Sequence, residues 1–213
     1  MFLKFPVVLL HFIMRKKIID KSAELFLSLG FKSVTMDDIA SEMAISKKTI
    51  YVHFPNKTKL VEAVTFNLFD TICSGIDDIC EKAANPIEEL YSIKMFVMHH
   101  LKNETSSPHY QLKKYYPQIY GVLQFKQFEK MHQSVQESLE HGISTDVFRN
   151  TIDVDFISRM YFTGMTGIKD NMFFPPENYK MEYLMESYLE YHLRAIVSDQ
   201  GMTILNNFIK NQS

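Results

Sequence analysis

The sequence predicts an all-α protein, a small N-terminal three-helix domain with a helix-turn-helix followed by a larger helical bundle. Three observations carry that prediction. The 213 residues hold only 7 Gly and 7 Pro, a composition that favours long helices over sheets rich in turns. Apolar residues recur at three- and four-residue spacing over long stretches, as in Leu60, Val64, Leu68, Ile72, Ile76 and Ile79. Residues 35–54 read as two short capped helices in succession. Hydrophobic residues make up 46% of the chain, ample for a core.

Residues 1–13 are apolar but too few to span a bilayer, and no small-residue cleavage site follows them. They are set apart as an uncertain extension, with Met14 expected as the functional first residue. The competing reading is an arm that packs on the domain or on a membrane. From Arg15 to Leu29, apolar residues at Ile18, Ile19, Ala23, Leu25, Phe26 and Leu29 predict an amphipathic helix. Gly30 ends it, with Phe31 placed for the apolar contact that accompanies a glycine cap. Thr35 caps the next helix, Asp38 completes a capping box, and Ile39, Ala40 and Met43 form its apolar stripe. Ala44 and Ile45 bridge a turn to Ser46, a good cap for another short helix. Ile50 and Phe54, four apart, face inward, while Lys47, Lys48, Thr49, Tyr51 and His53 cover most of the remaining surface. Such a helix is poor at burying itself, but it suits phosphates and base edges. Pro55 stops it, and Asn56 can cap a long helix from Lys57 to about Glu81.

Asn85-Pro86 interrupts the chain before a helix from Ile87 to about Lys102, whose Leu90, Ile93, Met95, Phe96, Val97 and Leu101 nearly encircle it. A polar loop at 103–108, a short helix at His109–Tyr116 and a long one at Gln118–His141 follow, the last closed by Gly142-Ile143. Helices at Val154–Met172 and Glu182–Val197 flank the loop Phe173-Phe174-Pro175-Pro176, and a terminal helix spans roughly Asp199–Lys210. Cys73 and Cys80 are seven apart on one helix, roughly 10 Å, so they are expected to be reduced.

Net charge is −2 overall, yet its distribution is uneven. Residues 14–60 hold nine Lys/Arg against five Asp/Glu, and residues 61–213 hold thirteen against twenty. A basic head on an acidic body suits docking on nucleic acid by one end.

The succession Gly-Phe, Thr-Met-Asp-Asp-Ile-Ala, Ile-Ser-Lys-Lys-Thr-Ile-Tyr-Val-His-Phe, Pro-Asn-Lys-Thr-Lys-Leu resembles the N-terminal DNA-binding domain of the TetR family of transcriptional repressors, over roughly residues 14–64. Lys48 departs from the family's pattern, which often has glycine there. The resemblance implies a DNA-binding domain at 14–60 and an effector-binding and dimerisation domain at 61–213. It also implies a homodimer that reads a palindromic operator in double-stranded DNA and works in the cytoplasm, with no membrane partner. By position, Thr35 and Ser46 suit phosphate contact, while Lys47, Lys48 and Thr49 are expected at base edges, Lys48 favouring guanine. Tyr51 and His53 are assigned to phosphates or sugars, and Lys57 to a charge contact.

A small hydrophobic or aromatic effector is expected in the body. Met95, Phe96, His99, Tyr116 and Tyr120 have suitable chemistry for its pocket, as do Phe125, Phe128, Met131, Tyr161, Phe162 and Met165. For the dimer seam, the small residues Thr163, Gly164, Thr166 and Gly167 and the tyrosines at 183, 188 and 191 are expected, with Leu184, Leu189 and Leu193. His99-His100 point about 100° apart and have no third ligand at helix spacing, so neither metal nor cofactor is expected. No nucleophile triad order, phosphate loop or zinc motif is present, which argues against an enzyme. The rival reading is a dimeric helical small-molecule-binding module without sequence-specific DNA binding.

Overall fold

The computed structural model describes residues 4–101 and 108–212. Among them run ten α-helices: α1 (Lys4–Leu29), α2 (Met36–Glu42), α3 (Lys47–His53), α4 (Lys57–Cys80), α5 (Pro86–Leu101), α6 (Pro108–Tyr115), α7 (Pro117–Ser144), α8 (Val154–Gly167), α9 (Met181–Ile196) and α10 (Asp199–Gln212). No strand occurs among the described residues, and Phe148 and Val197 form an isolated antiparallel bridge. The polar loop expected over 103–108 lies outside the described residues except for Pro108, which opens α6.

The chain divides into two compact units. One takes Met1–Ile72 and His100–Gln124, the other Cys73–His99 and Phe125–Ser213, so the division falls inside α4, α5 and α7 and not at residue 60. The reason lies in the first unit's core. Ile18 and Phe26 of α1, Ile39 of α2, Ile50 of α3 and Leu60 and Val64 of α4 are buried together, joined by Leu112, Ile119 and Tyr120 from α6 and α7. The helices of the head alone cannot bury enough apolar area, and α6 with the start of α7 completes the cover. It is tied there by the Lys32 amide, which donates to Gln111 Oε1 at 3.2 Å, and by the Phe31–Tyr116 ring contact at 6.1 Å.

Helix α1 begins at Lys4, eleven residues before the expected Arg15. Pro6 falls in the first turn, where a missing N–H costs nothing, and no breaker follows until Gly30. Gly30 has φ +87°, the left-handed value that ends a helix, and its amide donates to Phe26 O at 3.0 Å.

In the second unit, Ile87 and Tyr91 of α5, Val135 and Leu139 of α7, Tyr161 and Met165 of α8, the inner face of α9 and Leu205 of α10 share one core. Two element ends differ from expectation. Helix α7 passes through Gly142 to Ser144, and the left-handed residue beyond it is Asp146, φ 57°. The Val147 and Phe148 amides both donate to Gly142 O, at 2.8 and 2.9 Å, which turns the chain after the helix. Helix α8 stops at Gly167, five residues early. The Asp170 carboxylate accepts from the Met172 amide at 2.9 Å, a local turn that competes with continuing the helix. On α5, Met95 is exposed and Ile93 half-buried, so the helix buries one face only and is not encircled.

His192 lies buried against Tyr161, ring centroids 4.8 Å apart. Burial pushes its imidazole down from 6.5 to about 4, so it is neutral in the fold. The unfolded chain takes up that proton first as pH falls. The stability held by neutral His192 is therefore complete above pH 6.5 and is lost between 6.5 and 4, on the order of 3 kcal/mol. Urea unfolding at pH 7.5 and 4.5 checks this: a His192→Gln variant should show a flatter pH dependence than the native chain, and equal slopes would refute it.

Candidate nucleic-acid interface

The helix-turn-helix is built by local hydrogen bonds the sequence dictates. The Asp38 amide donates to Thr35 Oγ1 at 3.2 Å and the Thr35 amide to Asp38 Oδ2 at 2.8 Å, a complete capping box. The Thr35 amide first, and then the Thr35 hydroxyl, which donates to the same Oδ2 at 2.8 Å, hold the Asp38 carboxyl below its usual range. Ala44 takes φ 52° in the turn, and the Ile45 amide donates to Ala40 O at 3.0 Å. Ser46 Oγ accepts from the Thr49 amide at 3.0 Å and shares a 2.8 Å hydrogen bond with the Thr49 hydroxyl. Ile50 and Phe54 then anchor α3 in the core, both with almost no exposed surface.

Ile50 fixes which way α3 faces. At 100° per residue, Lys48 and Val52 lie about 160° to either side of it, Tyr51 at about 100° and Lys47 at about 60°. The solvent agrees with that arithmetic: Tyr51 is 44% and Val52 64% exposed, and Lys48 is exposed as well. Lys48, Tyr51 and Val52 thus form the outward face of α3.

Several residues assigned from sequence are placed differently. The Lys47 ammonium donates to Asp37 Oδ2 at 2.7 Å, a bond that raises its pKa and ties α3 back to α2. Thr35, Ser46 and Thr49 spend their hydroxyls on capping. Lys57 is half-buried beside Asp38 and donates to Lys32 O at 3.4 Å; burial lowers its pKa. His53 departs furthest from its assignment to phosphates or sugars. Its ring turns toward α1 and lies against His11, ring centroids 4.2 Å apart and tilted by 38°, with Nδ1 buried and without a hydrogen-bond partner. Burial, then His11 and Arg15, lower its pKa. It sits only 60° from Ile50 around the helix, which is why it packs. Val52, which the sequence reading missed, takes the outward place, and counting 100° steps from Ile50 would have found it.

Beside His53, Arg15, Phe54, Lys59, Glu62 and neighbouring residues line an open depression of about 380 Å³. The Arg15 guanidinium covers the Phe54 ring at 4.8 Å, and Lys59 pairs with Glu62. None of the eleven residues expected around an effector lines it.

Those eleven divide between the two units. Tyr116 packs near Phe31, and the Tyr120 hydroxyl shares a 3.0 Å hydrogen bond with His109 Nε2, both in the first unit. The other nine belong to the second unit. There Tyr161 and Met165 are core, Phe128 meets Phe162 edge-on at 5.2 Å, and Phe96 and Met131 are half-buried. Met95, His99 and Phe125 are exposed. Tyr120 and Met131, eleven apart on α7, are about 16 Å apart along the helix, and one packs in the first core and the other against the second.

The expected seam also changes. The Tyr188 ring of the same chain fills the space over Gly164 where a Cβ would sit, its hydroxyl donating to Met160 O at 3.0 Å. Leu184, Leu189 and Leu193 are interior. Tyr183 and Tyr191 on α9 and Phe156 and Met160 on α8 stay exposed. Both cysteines are free thiols, and burial pushes Cys80 up to about 11. No group of three or more potential metal ligands occurs among the described residues, and none of their helices is long and apolar enough to cross a membrane.

Comparison with known proteins bears on the whole arrangement. Residues 18–64 match the model of the bacterial regulatory proteins of the tetR family. The chain is 24% identical over 194 residues to the HTH-type transcriptional repressor KstR2 of Mycolicibacterium smegmatis, covering 88% of this chain and 92% of that protein. It is 26% identical over 141 residues to the biofilm operon negative transcriptional regulator IcaR of Staphylococcus epidermidis, 54% of this chain and 76% of that one. Among solved structures, a TetR-family regulator from Agrobacterium tumefaciens superposes with a TM-score of 0.71 at 16% identity, covering 88% of this chain and all of the other.

Proposed function

Since the chain is a TetR-family transcriptional regulator, we propose that it represses transcription as a homodimer on a palindromic operator and is released by a small hydrophobic or aromatic effector. The observation that carries this reading is the outward face of α3. Its side chains Lys48, Tyr51 and Val52 lie free of the core, on a helix held at one end by Ser46 and at the other by Ile50 and Phe54. A preorganised helix with a cation and an aromatic hydroxyl on its free face suits the major groove. One such helix contacts only a few base pairs, so two heads about 34–36 Å apart are needed for a palindrome. Tyr183, Tyr191, Phe156 and Met160 supply an apolar face for the mate.

Helix α4 has residues in both compact units, which suits it to carry a change from body to head. An effector that favours a wider head spacing shifts the population away from DNA, and a coupling of about 1–3 kcal/mol changes occupancy 5- to 150-fold. The DNA target places this work in the cytoplasm. The test is selection from random-sequence duplex DNA at low salt without effector. Enrichment of a twofold-symmetric sequence supports the reading. No enrichment refutes it and leaves a helical binding module without DNA specificity.

A further inference from the structure

Val52 is the residue of α3 that folding does not explain. It is 64% exposed, it touches neither apolar core, and valine is a poorer helix former than alanine or lysine in a seven-residue helix. A single exposed valine elsewhere would be unremarked. This one stands with Lys48 nearly opposite buried Ile50, on the part of α3 that points furthest from the core. The major groove offers one apolar group, the C5-methyl of thymine.

We infer that Val52 reads a thymine methyl and that Lys48 beside it reads a guanine. This rests on the DNA-binding role proposed above. The two residues are four apart, about 6 Å along the helix, and base pairs are stacked about 3.4 Å apart. The thymine therefore lies one or two base steps from the guanine in each half-site, on either strand. Lys47, tied to Asp37, adds no second base contact that would fix a different spacing.

The experiment uses the full chain and the sequence it enriches. Lys48→Ala identifies the guanine as the position whose preference relaxes. Each thymine within two steps of it is then replaced, in one half-site, by deoxyuridine, which lacks only the methyl group. One replacement should weaken binding by the native chain about fourfold, the worth of a buried methyl-sized group. The Val52→Ala variant should bind the thymine and uracil sites equally. Val52 is exposed, so this variant keeps the fold, and an unchanged circular-dichroism melt verifies that. Equal sensitivity of both proteins, or indifference of the native chain to every replacement, overturns the inference while leaving the DNA-binding role standing. Failure of the native chain to enrich any sequence overturns both.

Discussion

Lys48→Ala is expected to weaken binding to the enriched operator by roughly 30-fold to beyond 10⁴-fold. A good contact from a lysine to a base edge is worth about 1–3 kcal/mol of discrimination, and a palindrome engages two heads, so the loss doubles. The side chain is exposed at the centre of the outward face of α3, and removing it disturbs no packing. Lys47→Ala should behave differently although its charge change is identical. Its ammonium already pairs with Asp37 at 2.7 Å, an exposed pair worth at most about 1 kcal/mol, and it points away from the centre of that face. Lys47→Ala should therefore lower affinity modestly and leave the preferred sequence intact. Titrations of both variants against the operator and a scrambled duplex separate the two residues. Equal losses would show that only net charge matters and that α3 does not read bases.

The second large effect concerns the body. Phe148→Ala is expected to cost about 3–5 kcal/mol of stability, the range for removing a fully buried aromatic ring. Phe148 is 1% exposed and sits where three segments meet. Its amide donates to Gly142 O at 2.9 Å, it bridges Val197, and the next residue's amide donates to Ile196 O at 2.9 Å. Ser198 closes the junction, its amide donating to Val147 O at 3.0 Å and its hydroxyl to Asp146 O. Guanidinium unfolding monitored by helical content measures the loss, and a cost under 1 kcal/mol would mean that the site collapses around the missing ring. Nothing in the sequence marks Phe148 as core, since no helical period singles out one residue inside a connection.

That contrast runs through the whole chain. The head is written in local chemistry. Thr35, Asp38, Ser46 and Gly30 act on backbone groups within four residues of themselves, so their spacing specified the α1 end, the caps of α2 and α3, and the turn between. The inward direction of Ile50 and Phe54 followed from the helical period alone. Helix boundaries elsewhere came within a few residues for the same reason, except where Asp170 drew the chain into a turn and where nothing in residues 4–14 broke α1.

What side chains do at the surface was decided otherwise. Lys47 and Lys48 are the same residue type side by side; the helical period turns Lys48 outward, but only the approach of Asp37 from α2 makes Lys47 a brace. His53 has the chemistry of a phosphate contact, but α1 runs on to bring His11 against it. Tyr120 and Tyr161 have similar apolar character and lie in different cores, because the start of α7 joins α6 in covering the head. Backbone capping depends on neighbours in sequence, so the sequence alone determined it. The partner of a long polar or aromatic side chain depends on which distant helix arrives within 3–5 Å, and tertiary packing alone decided that.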